Sequence, residues 1–211
     1  MKITVLGATG NVGRRITAEA LSRGHDVTAV VRNPARIEEL PDSANTLIAD
    51  ASDAQAVASI STGQDIVISA LRPEPGDTVD PTTQAVLDGL AHTGVRLLVV
   101  GGAATLAIPG TGGRTVVEDA AFLPVTARHI GHASASQLAV CLAEKRVDWV
   151  YLSPAAKLVA GERTGKYRLG MDELVVDGQG ISTISMEDLA VALIDEAEKP
   201  RHHQVRFTAA Y

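Results

Sequence analysis

The feature that most constrains this chain is its opening, Met1-Lys-Ile-Thr-Val-Leu-Gly-Ala-Thr-Gly-Asn-Val-Gly-Arg-Arg15. An apolar run from Ile3 to Leu6 reads as a buried strand. It stops at Gly7, and glycines recur at Gly10 and Gly13 before a helical pattern begins. Strand, glycine turn and helix N-terminus is the order a dinucleotide site requires. Gly7 can take backbone angles closed to other residues, Gly10 lets a pyrophosphate approach the main chain, and Gly13 lets helix and sheet pack closely. Free amides and the positive end of the helix dipole then face the phosphates. The competing reading is a tight strand–helix turn that holds no ligand.

The rest of the chain repeats this alternation. The first helix ends at Gly24, and Val27–Val31 is a second buried strand ending at Arg32-Asn33-Pro34. Pro34 suits the first turn of a short helix through Leu40. Thr46–Ala49 reads as a strand closing on Asp50, Ala54–Ile60 as a helix and Asp65–Leu71 as a strand. Pro81–His92 reads as a helix and Arg96–Val100 as a strand ending at Gly101-Gly102. A loop over Ala103–Val125 precedes a helix over Ala133–Lys145 and a strand at Trp149–Leu152 that ends in Ser153-Pro154. Gly161–Ser182 is polar and glycine-punctuated, with short strands expected at Leu174–Val176 and Ile181–Ile184. Glu187–Glu198 reads as a helix, and Val205–Thr208 as the last strand. Short apolar strands alternating with helices imply right-handed βαβ crossovers and a parallel sheet covered on both faces. The expected fold is α/β, a Rossmann-type doubly wound sheet. It is read as one domain over 1–211, with substrate-side segments at about 103–132 and 157–184.

Composition excludes several classes. A net charge of −6 argues against a nucleic-acid partner, since phosphate contacts need concentrated Lys and Arg. No apolar segment is long enough to span a bilayer and no signal peptide is read, so no membrane partner and a cytoplasmic location are expected. Single Cys141, set among apolar residues, reads as a core residue. One cysteine makes no disulfide or multi-cysteine metal site, and no metal is expected.

In dinucleotide folds the end of the second strand selects the cofactor: an acidic side chain accepts from a free ribose 2′-hydroxyl, whereas Arg accommodates a 2′-phosphate. Here that strand ends in Arg32, with no Asp or Glu beside it in the sequence and Arg36 one turn on. Asp26 sits at the strand's other end. The expected cofactor is therefore NADP(H), preferred over NAD(H); the competing reading of Arg32 is a solvated loop residue.

Gly-Ala-Thr-Gly-Asn-Val-Gly, Val-Val-Arg-Asn-Pro, the Gly101-Gly102 strand end, Asp148-Trp-Val-Tyr-Leu-Ser-Pro-Ala-Ala156 and Gly161–Gly170 together resemble the atypical short-chain dehydrogenase/reductases. The nearest branch is the one named for NAD(P)H binding or NADH-flavin reduction, akin to biliverdin-IXβ/flavin reductase and the NmrA-like group. The resemblance implies pyrophosphate contacts at Gly7, Thr9, Gly10, Asn11 and Val12, with Gly13 closing the turn, and Arg32 at the 2′-phosphate. It places Asp50 and Ala51 at the adenine, Ala70, Leu71 and Arg72 near the ribose and pyrophosphate, and Gly101, Gly102 and Pro154 near the nicotinamide.

One departure matters. Typical short-chain reductases pair a Tyr with a Lys four residues on, which lowers the Tyr pKa for protonating an alkoxide. Between the fifth and sixth strands this chain has no Tyr. His129 and His132 are the titratable substitutes there, with a helix-cap or surface role as the competing reading. Thr105 stands about where relatives carry a serine, to orient substrate or to bond its own loop. Trp149 and Tyr151 read as core. The expected activity is hydride transfer from NADPH to a small conjugated acceptor, a free flavin or quinone, by a monomer or homodimer. Two other readings stay open: a non-catalytic NmrA-like redox sensor, and a natural-product tailoring reductase, epimerase or cyclase.

Overall fold

The computed structural model describes residues 1–74 and 80–211. In chain order the elements are β1 (Lys2–Leu6), α1 (Gly13–Ser22), β2 (Asp26–Val31), β3 (Asn45–Ile48), α2 (Ala54–Ser61), β4 (Ile66–Ser69), α3 (Pro81–Leu90), β5 (Arg96–Val100), α4 (Arg128–Ala143), β6 (Trp149–Pro154), β7 (Lys157–Val159), β8 (Arg168–Gly170), β9 (Thr183–Ser185), α5 (Met186–Glu198) and β10 (Val205–Ala210). The expected helix after Pro34 is a 3-10 helix over Pro34–Glu39.

Eight strands form one sheet in the order β3-β2-β1-β4-β5-β6-β10-β8, and β7 pairs with β9 apart from it. Every neighbour in the large sheet is parallel except β8 against β10. The order runs one way from β1 to β3 and the other way from β4 to β6, so the chain reverses between β1 and β4. In open α/β sheets this is the point that leaves a crevice at the carboxyl ends of the strands.

Side-chain alternation sorts the strands' residues onto two faces. Ile3, Val5, Val27, Ala29, Ile68, Leu98, Val150 and Leu152 pack beneath α1 and α5. Leu6, Val30, Val67, Leu97, Val99, Trp149 and Tyr151 pack beneath α2, α3 and α4. Small helix residues such as Ala20, Ala190 and Ala192 let the layers approach closely, in keeping with an aromatic content of 3%.

Five elements differ from expectation. Helix α4 starts at Arg128 rather than near Ala133, because Gly131 packs directly against Leu123, Val117 and Ala104 where any side chain would collide. Leu174–Val176 is not a strand: Leu174 and Val176 join Leu106, Ile108 and Val116 in a small separate core, with a lone bridge at Glu173. Strands β7 and β8 are three residues each, too short to show an alternating pattern, and β9 lies slightly later than the expected Ile181–Ile184.

Ion pairs hold the polar excursion after β6. Glu19 of α1 is 6% exposed and accepts a two-point contact from Arg163, at 2.6 and 2.7 Å, as well as Arg23 at 2.7 Å. The Arg163 hydrogen bonds hold its carboxyl below the usual range despite burial. Asp188 is fully buried at the start of α5 and accepts from Thr164, Gly165 and Tyr211. Burial raises its pKa, but these donors outweigh it and the net direction is down. Glu196, bonded to Arg96 and His202, is likewise lowered against the pull of burial. Carboxylates lowered in the folded state stabilise it fully above their unfolded pKa, and the contribution is lost as pH falls through the folded value. The urea midpoint is therefore expected to hold steady from neutrality to about pH 5 and to fall steadily below it. A midpoint unchanged down to pH 3 contradicts this assignment.

Candidate dinucleotide site

The carboxyl ends of β1 to β6 bring the expected cofactor residues to one edge of the sheet. Gly7 leaves β1 at φ +74°, a backbone open mainly to glycine, and its Cα faces the Ala70 carbonyl and the Leu71 side chain at the end of β4. The Gly10 amide donates to the Gly7 carbonyl at 2.9 Å. A Cβ on Gly13 would lie 2.1 Å from that same carbonyl oxygen, so strand and helix are held closer than any side chain allows.

Turn geometry leaves the Asn11, Val12 and Gly13 amides without hydrogen bonds to described residues. Helices α2, α3 and α5 are capped by Asp53, Asp80 and Ser185, whereas α1 has no side-chain cap and no acid in its first turn. Unbonded amides at an uncapped helix start suit an anion.

Arg32 ends β2 exposed, with no hydrogen bond or ion pair to a described residue. Arg36 pairs with Glu39 at 2.7 Å and donates to the Thr9 carbonyl at 2.9 Å, which ties the 3-10 helix to the glycine turn. Asp50 at the end of β3 is the acid missing beside Arg32 in the sequence. Its carboxylate accepts from the Ser52 amide and hydroxyl, which lower its pKa, with Arg32 adding to the shift. Ala51 is buried beside it, Ala70 and Leu71 are half-buried, and Arg72 is exposed. Glycine cradle, free amides and unpaired Arg32 fit a dinucleotide.

At the other end of the site, the Gly101 amide donates to Leu152 at 2.9 Å, which sets the β5 end beside buried Pro154. The Gly102 amide donates to the Tyr151 hydroxyl at 3.1 Å, and a Cβ on Gly102 would lie 2.6 Å from Ser134 Oγ of α4. Thr105 Oγ1 accepts from Arg206 at 2.7 Å, and Arg206 also pairs with Asp172. His129 and His132 are exposed on α4 and make no hydrogen bond to described residues. His132 lies on the helix face opposite Cys141, which packs toward the sheet.

Sequence reasoning missed two participants here. Tyr151 read only as core, although paired glycines after a strand signal that a large neighbour fills the space. Arg206 carried no local signal, because its partners lie in loops distant in the chain. Among the described residues no three His, Cys, Asp or Glu side chains could hold a metal ion, and no helix is long and apolar enough to cross a membrane.

A doubly wound sheet with a glycine turn at its switch point defines a Rossmann protein that binds a nicotinamide dinucleotide. Residues 7–200 match the family described as NAD(P)H-binding, and the chain belongs to that family. It is 35% identical over 218 residues to the uncharacterized protein YwnB of Bacillus subtilis, covering 99% of this chain and 97% of that one. Among solved structures, a Bacteroides thetaiotaomicron protein provisionally named an epimerase superimposes with a TM-score of 0.88 at 41% identity, over 100% of this chain and 96% of that one. A Streptococcus pneumoniae protein provisionally named an NADH-flavin reductase gives 0.87 at 32% identity, over 100% and 99%.

The Gly13 contact makes a direct prediction. Gly13→Ala is expected to cost about 1–3 kcal/mol of stability through overpacking and to abolish any rise in melting temperature on adding a nicotinamide dinucleotide. A variant that melts and responds to the dinucleotide like the native protein would show that the turn tolerates a side chain.

Proposed function

We propose that this protein is an NADPH-dependent reductase that passes hydride to a small conjugated acceptor, a free flavin or a quinone. The observation that carries the reading is the state of Tyr151, the tyrosine nearest the Gly101–Gly102 end of the site. It is fully buried, its hydroxyl is shared among the Gly102 amide, the Ser134 carbonyl and Gln137, and burial pushes its pKa up. Such a hydroxyl does not protonate an alkoxide. A conjugated acceptor spreads the charge it receives and takes its proton from water, so it needs no such donor.

In this reading the Asn11, Val12 and Gly13 amides hold the pyrophosphate, with Gly7, Thr9 and Gly10 shaping the turn. Arg32, with Arg36 one turn on, holds the 2′-phosphate by charge-assisted bonds. Asp50 and Ala51 border the adenine, and Ala70, Leu71 and Arg72 border the ribose and pyrophosphate. Gly101, Gly102 and Pro154 form the wall against the nicotinamide. When bound, the reduced nicotinamide supplies the hydride. Thr105, with His129, orients the acceptor while hydride passes, and water then supplies the proton. The streptococcal neighbour's name supports a flavin as acceptor; the NADPH preference rests on Arg32.

Steady-state assays with NADPH and NADH, against flavin mononucleotide and a panel of quinones, test both halves. Arg32→Asp is expected to lower the NADPH-to-NADH ratio of kcat/KM about a hundredfold, since it removes a charge-assisted contact and adds a repulsion. An unchanged ratio removes the cofactor assignment, and no turnover across the panel removes the acceptor assignment.

A further inference from the structure

A buried chain of hydrogen bonds runs from the Gly101–Gly102 turn to the start of α3. The Gly102 amide donates to the Tyr151 hydroxyl at 3.1 Å, which lies 3.2 Å from Gln137 Oε1 and 3.1 Å from the Ser134 carbonyl. Gln137 Nε2 reaches Thr83 Oγ1 at 3.3 Å, and Thr83 donates to Asp80 Oδ2 at 2.7 Å. Asp80 caps α3 through its other oxygen, which accepts from the Thr82 and Thr83 amides. Tyr151, Gln137, Thr83 and Asp80 are between 0% and 4% exposed, so water does not compete for these groups.

The direction of each bond is fixed by what each group can do. Thr83 gives its only hydroxyl hydrogen to Asp80, so it accepts from the Gln137 amide nitrogen. That turns the Gln137 oxygen toward Tyr151. With its lone pair facing the Gly102 N–H, Tyr151 sends its hydrogen to α4. That single hydrogen is shared between the Ser134 carbonyl and Gln137 Oε1, and along the Gln137 branch the donors point toward the Asp80 carboxylate, an alignment in which neighbouring bonds polarise and strengthen one another. The Tyr151 ring is also a floor for the turn: a Cβ on Gly101 would lie 1.9 Å from ring atoms Cε1 and Cζ.

We infer that Tyr151 is a positioning residue for the nicotinamide half of the dinucleotide, acting through Gly101 and Gly102. This rests on the site reading proposed above. The ring sets the height of the β5 end, and the hydroxyl, anchored through Gln137 and Thr83 to Asp80, fixes its orientation relative to α4 and α3. The adenosine half, held at Gly7–Gly13 and Arg32, lies outside this network.

Calorimetric titration with NADPH and with 2′,5′-ADP, which carries only the adenosine half, tests the inference without turnover. Tyr151→Phe keeps the ring and removes the hydroxyl, leaving the Gly102 N–H unpaired. It is expected to bind 2′,5′-ADP as the native protein does and NADPH about tenfold more weakly, with faster hydrogen exchange at the Gly102 amide. Equal affinity for NADPH in the two proteins, or equal loss for both ligands, overturns the role of Tyr151 while native NADPH binding stands. Native protein that binds neither ligand overturns the site reading and the inference together. Should Tyr151→Phe fail to fold, Gln137→Met breaks the same chain one link deeper and is expected to show the same split at about threefold; an unchanged affinity ratio there overturns the inference.

Discussion

The contact on which the rest of the structure depends is the approach of Gly13 to the Gly7 carbonyl. A side chain at Gly13 would sit 2.1 Å from that oxygen, and Gly7 is itself pressed against the end of β4. Two backbone segments therefore meet where others keep a side chain between them. The consequence is electrostatic as well as steric. Helix α1 begins so soon after β1 that its first amides remain unbonded at the crevice between β1 and β4. A capping Asp or Ser, the solution adopted by α2, α3 and α5, would spend those amides on the protein itself. Helix α4 is uncapped too, but only α1 starts where the sheet order reverses, and that placement makes its open amides an anion site.

The two ends of the site are built by different means. The phosphate end is backbone, and its geometry follows from a few glycines in sequence. The Gly101–Gly102 end depends on side chains from elsewhere: Tyr151 below, Ser134 and Gln137 from α4, and Arg206 behind Thr105. It is also the end from which relatives on one fold diverge in chemistry, because side chains change without disturbing the sheet. A tyrosine placed beneath the glycines, with its hydroxyl consumed by the backbone, supports that wall instead of donating a proton into the crevice.

That division explains what the sequence disclosed. Alternating apolar runs and glycine or proline stops marked β1 to β6 and the helices between them, since burial on two faces demands such a local pattern in every one of these strands but β3, which lies exposed at the sheet edge. Residues of the glycine turn, and Arg32 at the end of β2, could be placed by counting from strand ends. Asp50 was placed at the end of β3 in the same way, but its approach to Arg32 was not legible, because β3 and β2 meet only through sheet pairing. The first turn of α4 was hidden for a similar reason: Ala127-Arg-His-Ile-Gly-His shows no apolar face, and what orders it is the fit of Gly131 against Leu123 and Val117. Tyr151 was correctly placed in the core, yet its hydroxyl's partners come from residues 14, 17 and 49 positions away.

The excursion after β6 carries the point furthest. Gly161–Ser182 buries Leu174 fully and Tyr167, Val175 and Val176 in part, and charge orders the polar stretch at its start. Arg163 closes on Glu19 of α1, Arg15 of α1 closes on Glu187, and Glu187 in turn accepts from the Gly161 amide at 2.8 Å. Asp188 meanwhile gathers Thr164, Gly165 and Tyr211 around the start of α5, where the helix dipole favours a carboxylate. These carboxylates are buried or partly buried, so leaving any one unpaired costs more than the pair returns, and the segment is held in one arrangement by that asymmetry. Helix α1, which presents the open amides, is thereby fixed on its other side by the excursion. Cofactor turn and polar excursion are thus two sides of one helix, joined through Glu19 and Arg15, and neither can shift without leaving a charge unpaired.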